Sequence, residues 1–326
     1  MSLYTQTKAL WGPECVALSG RWATALCAGM PWAEAAGDTF REWRPLRFYL
    51  ALGDAARRPG RQPSIRFSVR FCGQEVANLR VGRTPVLEVG LRHRQATAKY
   101  FQLTTECGAW PWDSPQARVF RAKFRALGRD DAEPPAGHSE EHAIESRIIL
   151  EMEKTAAATK FAGTLAGIRH VGLTRHAYPF QCPTPLSASS GAPKKTTGHI
   201  DILARRRGAD GKVRLSVWEL KRPGEFQHAL DQAYVYAVTL ALMLRTEGGS
   251  DWYRIFGFTP PVPEHLEIEA VVAVTEDQRT RLARAARTLG EQSELVLAPE
   301  GARLRLHAAY YDPRSLAITF EDLAPC

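Results

Sequence analysis

Long apolar runs are missing from this sequence. Its longest nearly apolar stretch, Ala233 to Leu244, falls short of the roughly 20 residues needed to cross a bilayer. No N-terminal stretch couples a basic start to an apolar core, as a secretory leader would. The expectation is a soluble, cytoplasmic chain with no membrane association. Cysteine is sparse: the six residues Cys15, Cys27, Cys72, Cys107, Cys182 and Cys326 are scattered, with no CxxC pair and no histidine at zinc-ligand spacing. That pattern argues against a structural zinc site and predicts free, mostly buried thiols in a reducing compartment. No internal repeat is visible, which argues against a solenoid or propeller.

Apolar residues make up 44% of the 326 positions, enough for a sizeable core and, by length, about two domains. The formal charge of +8 and a pI near 9.3 make the surface attractive to polyanions. Charge alone does not separate nucleic acid from an anionic lipid surface.

The string from Gly128 to Ser139, GRDDAEPPAGHS, is charged, bears Pro and Gly, and has no periodicity. It predicts a linker at 131–138 between an N-terminal domain (1–130) and a C-terminal domain (139–326). In the first, Ile65, Phe67, Val69 and Phe71 alternate with polar residues as a half-buried strand does. Further strands are expected at Glu75–Val81, Val86–Leu91 and Lys99–Thr104, separated by Gly73, Gly82, Arg83 and Pro85, giving a mainly antiparallel, β-rich domain for recognition or partner binding. Phe120, Phe124 and Leu127 fall at helical spacing, with Arg118, Arg121 and Arg125 on another face that either meets phosphates or is simply solvated. Trp110 and Trp112 read as core.

The second part runs helix (Ser139–Lys160), strand (Gly172–Phe180), a Pro, Ser and Gly-rich loop (Pro183–Thr197), strand (His199–Arg206), strand (Lys212–Lys221), helix (Glu225–Arg245), strand (Leu266–Thr275). This order predicts a mixed α/β domain within a chain that is α+β overall. Segments Arg303–Tyr311 and Leu316–Phe320 extend the sheet or mediate association, while a homodimer or a protein partner is expected through the N-terminal domain.

The chemistry concentrates between Gly198 and Tyr236. A loop ending in Gly211 suits a hairpin with a left-handed residue at its last position. With Gly208 opposite Lys212, counting outward brings Asp201 opposite Glu219. Opposed Cβ atoms lie roughly 4.5–5.5 Å apart, where like charges are destabilising, so the pair needs compensation. Hard oxygen donors suit Mg²⁺, with Mn²⁺ a substitute. Lys221 emerges on the face of Glu219 and would either lower the pKa of an attacking water or stabilise transition-state charge. The structural alternative is a salt bridge from Lys221 to Glu219 at a strand end.

On the next helix, His228, Gln232 and Tyr236 form a polar stripe that can hold a phosphate or fix Lys221, or simply face solvent. Upstream, Glu141 and Glu145 lie one turn apart, and Glu145 is the better candidate to complete a metal shell, although this acidic helix is also explained by a solvated face. His142 is a weaker ligand candidate. Lys194, Lys195 and the run Arg205-Arg206-Arg207 are basic groups near the cleft that can follow a phosphate backbone.

These residues resemble the PD-(D/E)XK nuclease superfamily and its αβββαβ core. Gly198-His199-Ile200-Asp201 looks like its GxxD strand, with Ile200 where the motif name has Pro, and Glu219-Leu220-Lys221 looks like its (D/E)XK half. Gln232 to Tyr236 is similar to the QxxxY element of the RecB-like branch. The resemblance spans roughly Ser139 to Thr275. It implies Asp201, Glu219, the Leu220 carbonyl and Glu145 as metal ligands and Lys221 as the catalytic lysine; the polar stripe and the basic groups near the cleft make Gln232, Tyr236, His228 and Lys195 the candidates on the substrate side. The expected activity is Mg²⁺-dependent hydrolysis of phosphodiesters by an endonuclease, with DNA the favoured partner and restriction, repair or antiviral defence the setting. The competing expectation is a catalytically silent module on the same fold, binding nucleic acid or protein.

Overall fold

The computed structural model describes residues 1–40, 44–53, 64–127, 140–157, 165, 167–315 and 317–323. The linker expected at 131–138 lies outside them, as do Cys326 and the ends of the helix read as Ser139–Lys160. Among the described residues are eight α-helices: α1 (Leu3–Leu10), α2 (Pro13–Phe40), α3 (Leu91–Phe101), α4 (Pro115–Ala126), α5 (Glu140–Ala157), α6 (Ala229–Leu244), α7 (Gly249–Ile255) and α8 (Arg279–Gln292). The chain forms two compact units, one of residues 25–147 and 172–180, the other of 1–24, 148–171 and 181–326. Both units therefore draw on separate stretches of sequence, and no helix is long and apolar enough, among the described residues, to cross a membrane.

The unit built around residues 25–147 holds an antiparallel sheet of β1 (Arg47–Leu52), β2 (Ile65–Phe71), β3 (Gln74–Arg80), β4 (Val86–Val89) and β5 (Gly108–Pro111), in that order. The strand expected at Ile65–Phe71 is present with Phe67, Val69 and Phe71 buried, but its other face is not open, since Ser68 and Arg70 are buried as well. The strand expected at Lys99–Thr104 is instead the end of α3: His93, Thr97 and Phe101 recur every fourth residue on its buried face, and Gln102 closes it in the left-handed conformation. Leu91 likewise begins this helix rather than ending a strand. The segment 172–180 is no single strand; β7 (Gly172–Leu173) and β8 (Tyr178–Pro179) fold back on each other around Thr174 and Ala177, both at positive φ. Arg121 does not face solvent. Its guanidinium lies 3.8 Å from the ring centroid of buried Trp112 and donates to that residue's carbonyl. Five described thiols are free, of which Cys15 and Cys182 are buried, Cys27 and Cys72 partly so, and Cys107 exposed, so burial is less general than expected.

The other unit is built on a mixed sheet of β6 (Ile168–His170), β11 (Ile202–Arg207), β12 (Val213–Leu220), β13 (Leu266–Thr275), β14 (Val296–Leu297), β15 (Ala302–Tyr311) and β16 (Ile318–Asp322), while β9 (Pro183–Thr184) and β10 (Gly198–His199) pair separately. Its strand order is β14-β15-β13-β12-β11-β6, with β16 on β15. Strands β12, β13 and β15 are parallel, and β12 is antiparallel to β11. The run LEIEAVVAVT of β13 is almost wholly apolar because a central parallel strand is covered on both faces. Its one fully buried acid, Glu269, is held bidentately by Arg206 at 2.6 and 2.7 Å on the face where Trp218 meets Phe320. On the other side α6 packs against β12, β13 and β15 and is covered by α1, α7 and α8, so it is apolar nearly all round.

Candidate active site

The β11–β12 hairpin has the register expected from its turn. Gly208 N–H donates to the Lys212 carbonyl at 2.9 Å, Gly211 has a φ of 77°, and pairing runs from Arg207 opposite Val213 to Ile202 opposite Trp218. The strand expected to be continuous from His199 to Arg206 breaks at Ile200 and Asp201. There Ile200 N–H turns to the Cys182 carbonyl, and Asp201 Oδ2 accepts the backbone N–H of Leu220 at 2.8 Å. An aspartate side chain thus takes over the ladder position that the next strand residue would have filled.

Glu219 lies one residue beyond Trp218, on the opposite face of β12 and with Leu215 and Val217. Its carboxylate is 5% exposed and accepts from Lys221 Nζ at 2.6 Å; the lysine is 14% exposed. The chain at Lys221 is fixed as well, since its N–H donates to the Ala273 carbonyl and its own carbonyl accepts from Tyr311 Oη at 2.6 Å. The compensation that two neighbouring carboxylates need is supplied within the protein by the Lys221 ammonium and the Leu220 amide.

The loop between β9 and β10 closes over the start of α6. Tyr236 Oη accepts the Ala188 N–H at 3.3 Å, and a Cβ on Gly198 would stand 2.9 Å from that hydroxyl, so the glycine of the GxxD string makes room for the tyrosine of QxxxY. Burial raises the Tyr236 phenol above its ordinary pKa; the charges of Glu219 and Asp201 push it the same way, which brings both carboxylates within electrostatic reach of one hydroxyl. Gln232 is also buried, and its Oε1 has no hydrogen-bond partner among the described residues. The solvent-facing stripe is therefore limited to His228, which adopts a positive φ as the residue before α6 and packs its ring on Gly191.

The remaining candidates make contacts of their own. Lys195 is exposed and pairs with Glu14 at 2.8 Å. The Arg205-Arg206-Arg207 run is engaged by the protein itself, through the Gly257 carbonyl, Glu269 and the Gly211 carbonyl respectively. Glu145 belongs to the unit of residues 25–147, where Arg70 Nη1 lies 3.0 Å from its Oε1 and His142 3.4 Å from its Oε2, so its buried carboxylate serves an internal ion pair. Glu141 is half-buried beside it in sequence.

Among the described residues no group of three or more His, Cys, Asp or Glu side chains gathers as a metal centre. Asp201 and Glu219 do offer hard oxygen donors near the end of β12, and Gln232 Oε1, on α6, lacks a partner among the described residues. That donor chemistry fits Mg²⁺, which commonly takes one or two carboxylates and completes its shell with waters and phosphate oxygens. Scans against family models, curated proteins and solved structures find no match to this chain.

Proposed function

We propose that this chain is a metal-dependent nuclease of the PD-(D/E)XK type that hydrolyses phosphodiester bonds. The observation that carries the reading is the end of β12, where Glu219 and Lys221 are in contact and Asp201 is bound to the amide between them. Asp201 and Glu219 would hold Mg²⁺, or Mn²⁺ in its place, with the Leu220 carbonyl as a further ligand by the resemblance. When bound, such an ion activates water and neutralises charge on phosphate oxygens. Lys221, whose ammonium meets Glu219, would set its charge against the reacting phosphate and stabilise the charge that develops there. Tyr236 holds the loop through the Ala188 amide, Gln232 would meet the substrate, and Glu145, engaged by Arg70 and His142, is left out of the proposed metal shell. DNA as substrate and endonucleolytic cleavage are the choices the resemblance favours, in restriction, repair or defence against phage.

The test is incubation of the purified chain with linear, circular and single-stranded DNA and with RNA, in Mg²⁺, Mn²⁺ or EDTA, beside D201A and K221A. Cleavage of a circle that needs the metal and is lost in both variants supports the reading. Cleavage that survives both substitutions overturns the site. A second reading rests on the same contacts: the Asp201 carboxylate is taken by the Leu220 amide and Glu219 Oε1 by the Lys221 ammonium, as in a silent binding module. Binding of nucleic acid with no cleavage of any substrate in either metal would favour it.

A further inference from the structure

A cavity of about 780 Å³ lies between the first residues of the chain, the segment following Lys221, and α8. Gln6, Phe226, Asp231, Arg281, Arg284 and Gln292 are among the residues that line it. Helix α8 carries arginines at 281, 284 and 287, three residues apart, so they share one side and rise about 4.5 Å along the axis at each step. All three are exposed, whereas Leu282, Ala286 and Leu289 are buried. Arg284 and Arg287 form no ion pair with any described residue, and Arg281 bonds only the neutral Gln278, at 2.9 Å. Its guanidinium also stands 5.3 Å from the ring centroid of half-buried Phe226, five residues past Lys221.

We infer that this groove binds a single nucleic-acid strand, its phosphates running from Arg284 at the groove to Arg287 on the exposed side of α8 just outside it, and a base against the Phe226–Arg281 pair. Arg284 and Arg287, which pair with no described acid, concentrate polyanions, and the aromatic ring beside Arg281 supplies the sequence-tolerant stacking that single strands use. The chemistry favours a strand over a lipid surface. A membrane-seated helix turns apolar residues outward beside its cations, and here the apolar face of α8 is spent on the protein core. The inference rests on the nuclease reading for the direction of the strand toward Lys221, while binding itself is independent of cleavage.

The experiment measures fluorescence anisotropy of a labelled oligo-dT strand with the full chain, in EDTA to prevent cleavage, across a salt series. R281Q/R284Q/R287Q should weaken binding about tenfold or more at physiological salt and flatten the salt slope by about 2. R284E/R287E, which touches only exposed side chains, should do the same with an unchanged melting temperature. F226A should weaken oligo-dT binding without affecting heparin, a polyanion that lacks bases. Equal binding by the arginine variants and the parent overturns the groove, even where the unsubstituted chain cuts DNA. So does a parent that binds no strand, or arginine variants that lose only phosphatidylserine vesicles. A chain that binds through these arginines but cuts nothing leaves the groove standing and removes the nuclease reading.

Discussion

Tyr236 Oη occupies space that any side chain at position 198 would claim, since a Cβ built on Gly198 falls 2.9 Å from it and 2.9 Å from Thr184 Oγ1. G198A should therefore destabilise the fold by about 1–3 kcal/mol, the usual cost of forcing a methyl into a packed site. In a Y236F background the cost should be smaller, because one of the obstructing atoms is gone. Urea denaturation of the four chains gives the coupling; strictly additive effects would mean the two residues do not meet.

Asp201 has a structural duty as well as a proposed chemical one. D201A leaves the Leu220 N–H without its acceptor and should cost about 1–3 kcal/mol, whereas D201N keeps an acceptor oxygen and should lose much less. Both should lose cleavage under the nuclease reading. Full activity in D201N, measured on plasmid DNA in Mg²⁺, would show that the carboxylate charge is not used.

Lys221 and Glu219 are nearly out of water together, so breaking the pair from one side exposes the other's desolvation. K221M should destabilise the chain by about 3–5 kcal/mol, and E219Q/K221M should recover much of that loss without restoring cleavage. Thermal melts decide it: a K221M chain as stable as the parent would indicate that Glu219 is compensated by other groups.

In the antiparallel sheet, burial alone would raise the pKa of Glu75, but hydrogen bonds from His93 and Ser68 and the charges of Arg66 and Arg92 hold it near 2, against 4.5 for a free glutamate. A depressed folded-state pKa means its contribution is full above 4.5 and is lost as pH falls toward 2, about 3 kcal/mol in all. The stability gap between the parent and E75Q, followed by denaturant midpoint, should shrink steadily from pH 5 to pH 2. A gap that does not change over that window would rule out a low Glu75 pKa.

Periodicity and turn chemistry made much of this legible in the sequence. Alternation marked Ile65–Phe71, and the glycine at 211 was enough to predict a hairpin whose register carried Asp201 to the level of Glu219. Local patterns failed where nonlocal partners decide. The polar residues Gln232 and Tyr236 read as a surface stripe because nothing local reveals that α1, α7 and α8 wrap α6. The Arg205-Arg206-Arg207 run looked like a phosphate track because buried Glu269, the partner of Arg206, is 63 residues away. Lys99–Thr104 was read as period two when its buried residues follow period four. The arginines of α8 carry a legible signal, three cations at helical spacing beside Leu282 and Leu289, that charge counting along the whole chain diluted.

The unit holding the candidate site takes residues 1–24 from one end of the sequence and most of its sheet from the other, and its joints include Trp252 donating to Ser19 across 233 positions. Contacts of such separation close large loops and slow the search for the native state. During synthesis the first helices must wait, unsatisfied, until the last third of the chain has left the ribosome. Nascent chains stalled before Trp252 should consequently leave Trp22 and Tyr4 accessible to chaperones, and the candidate active site can be assembled only late in the life of each molecule.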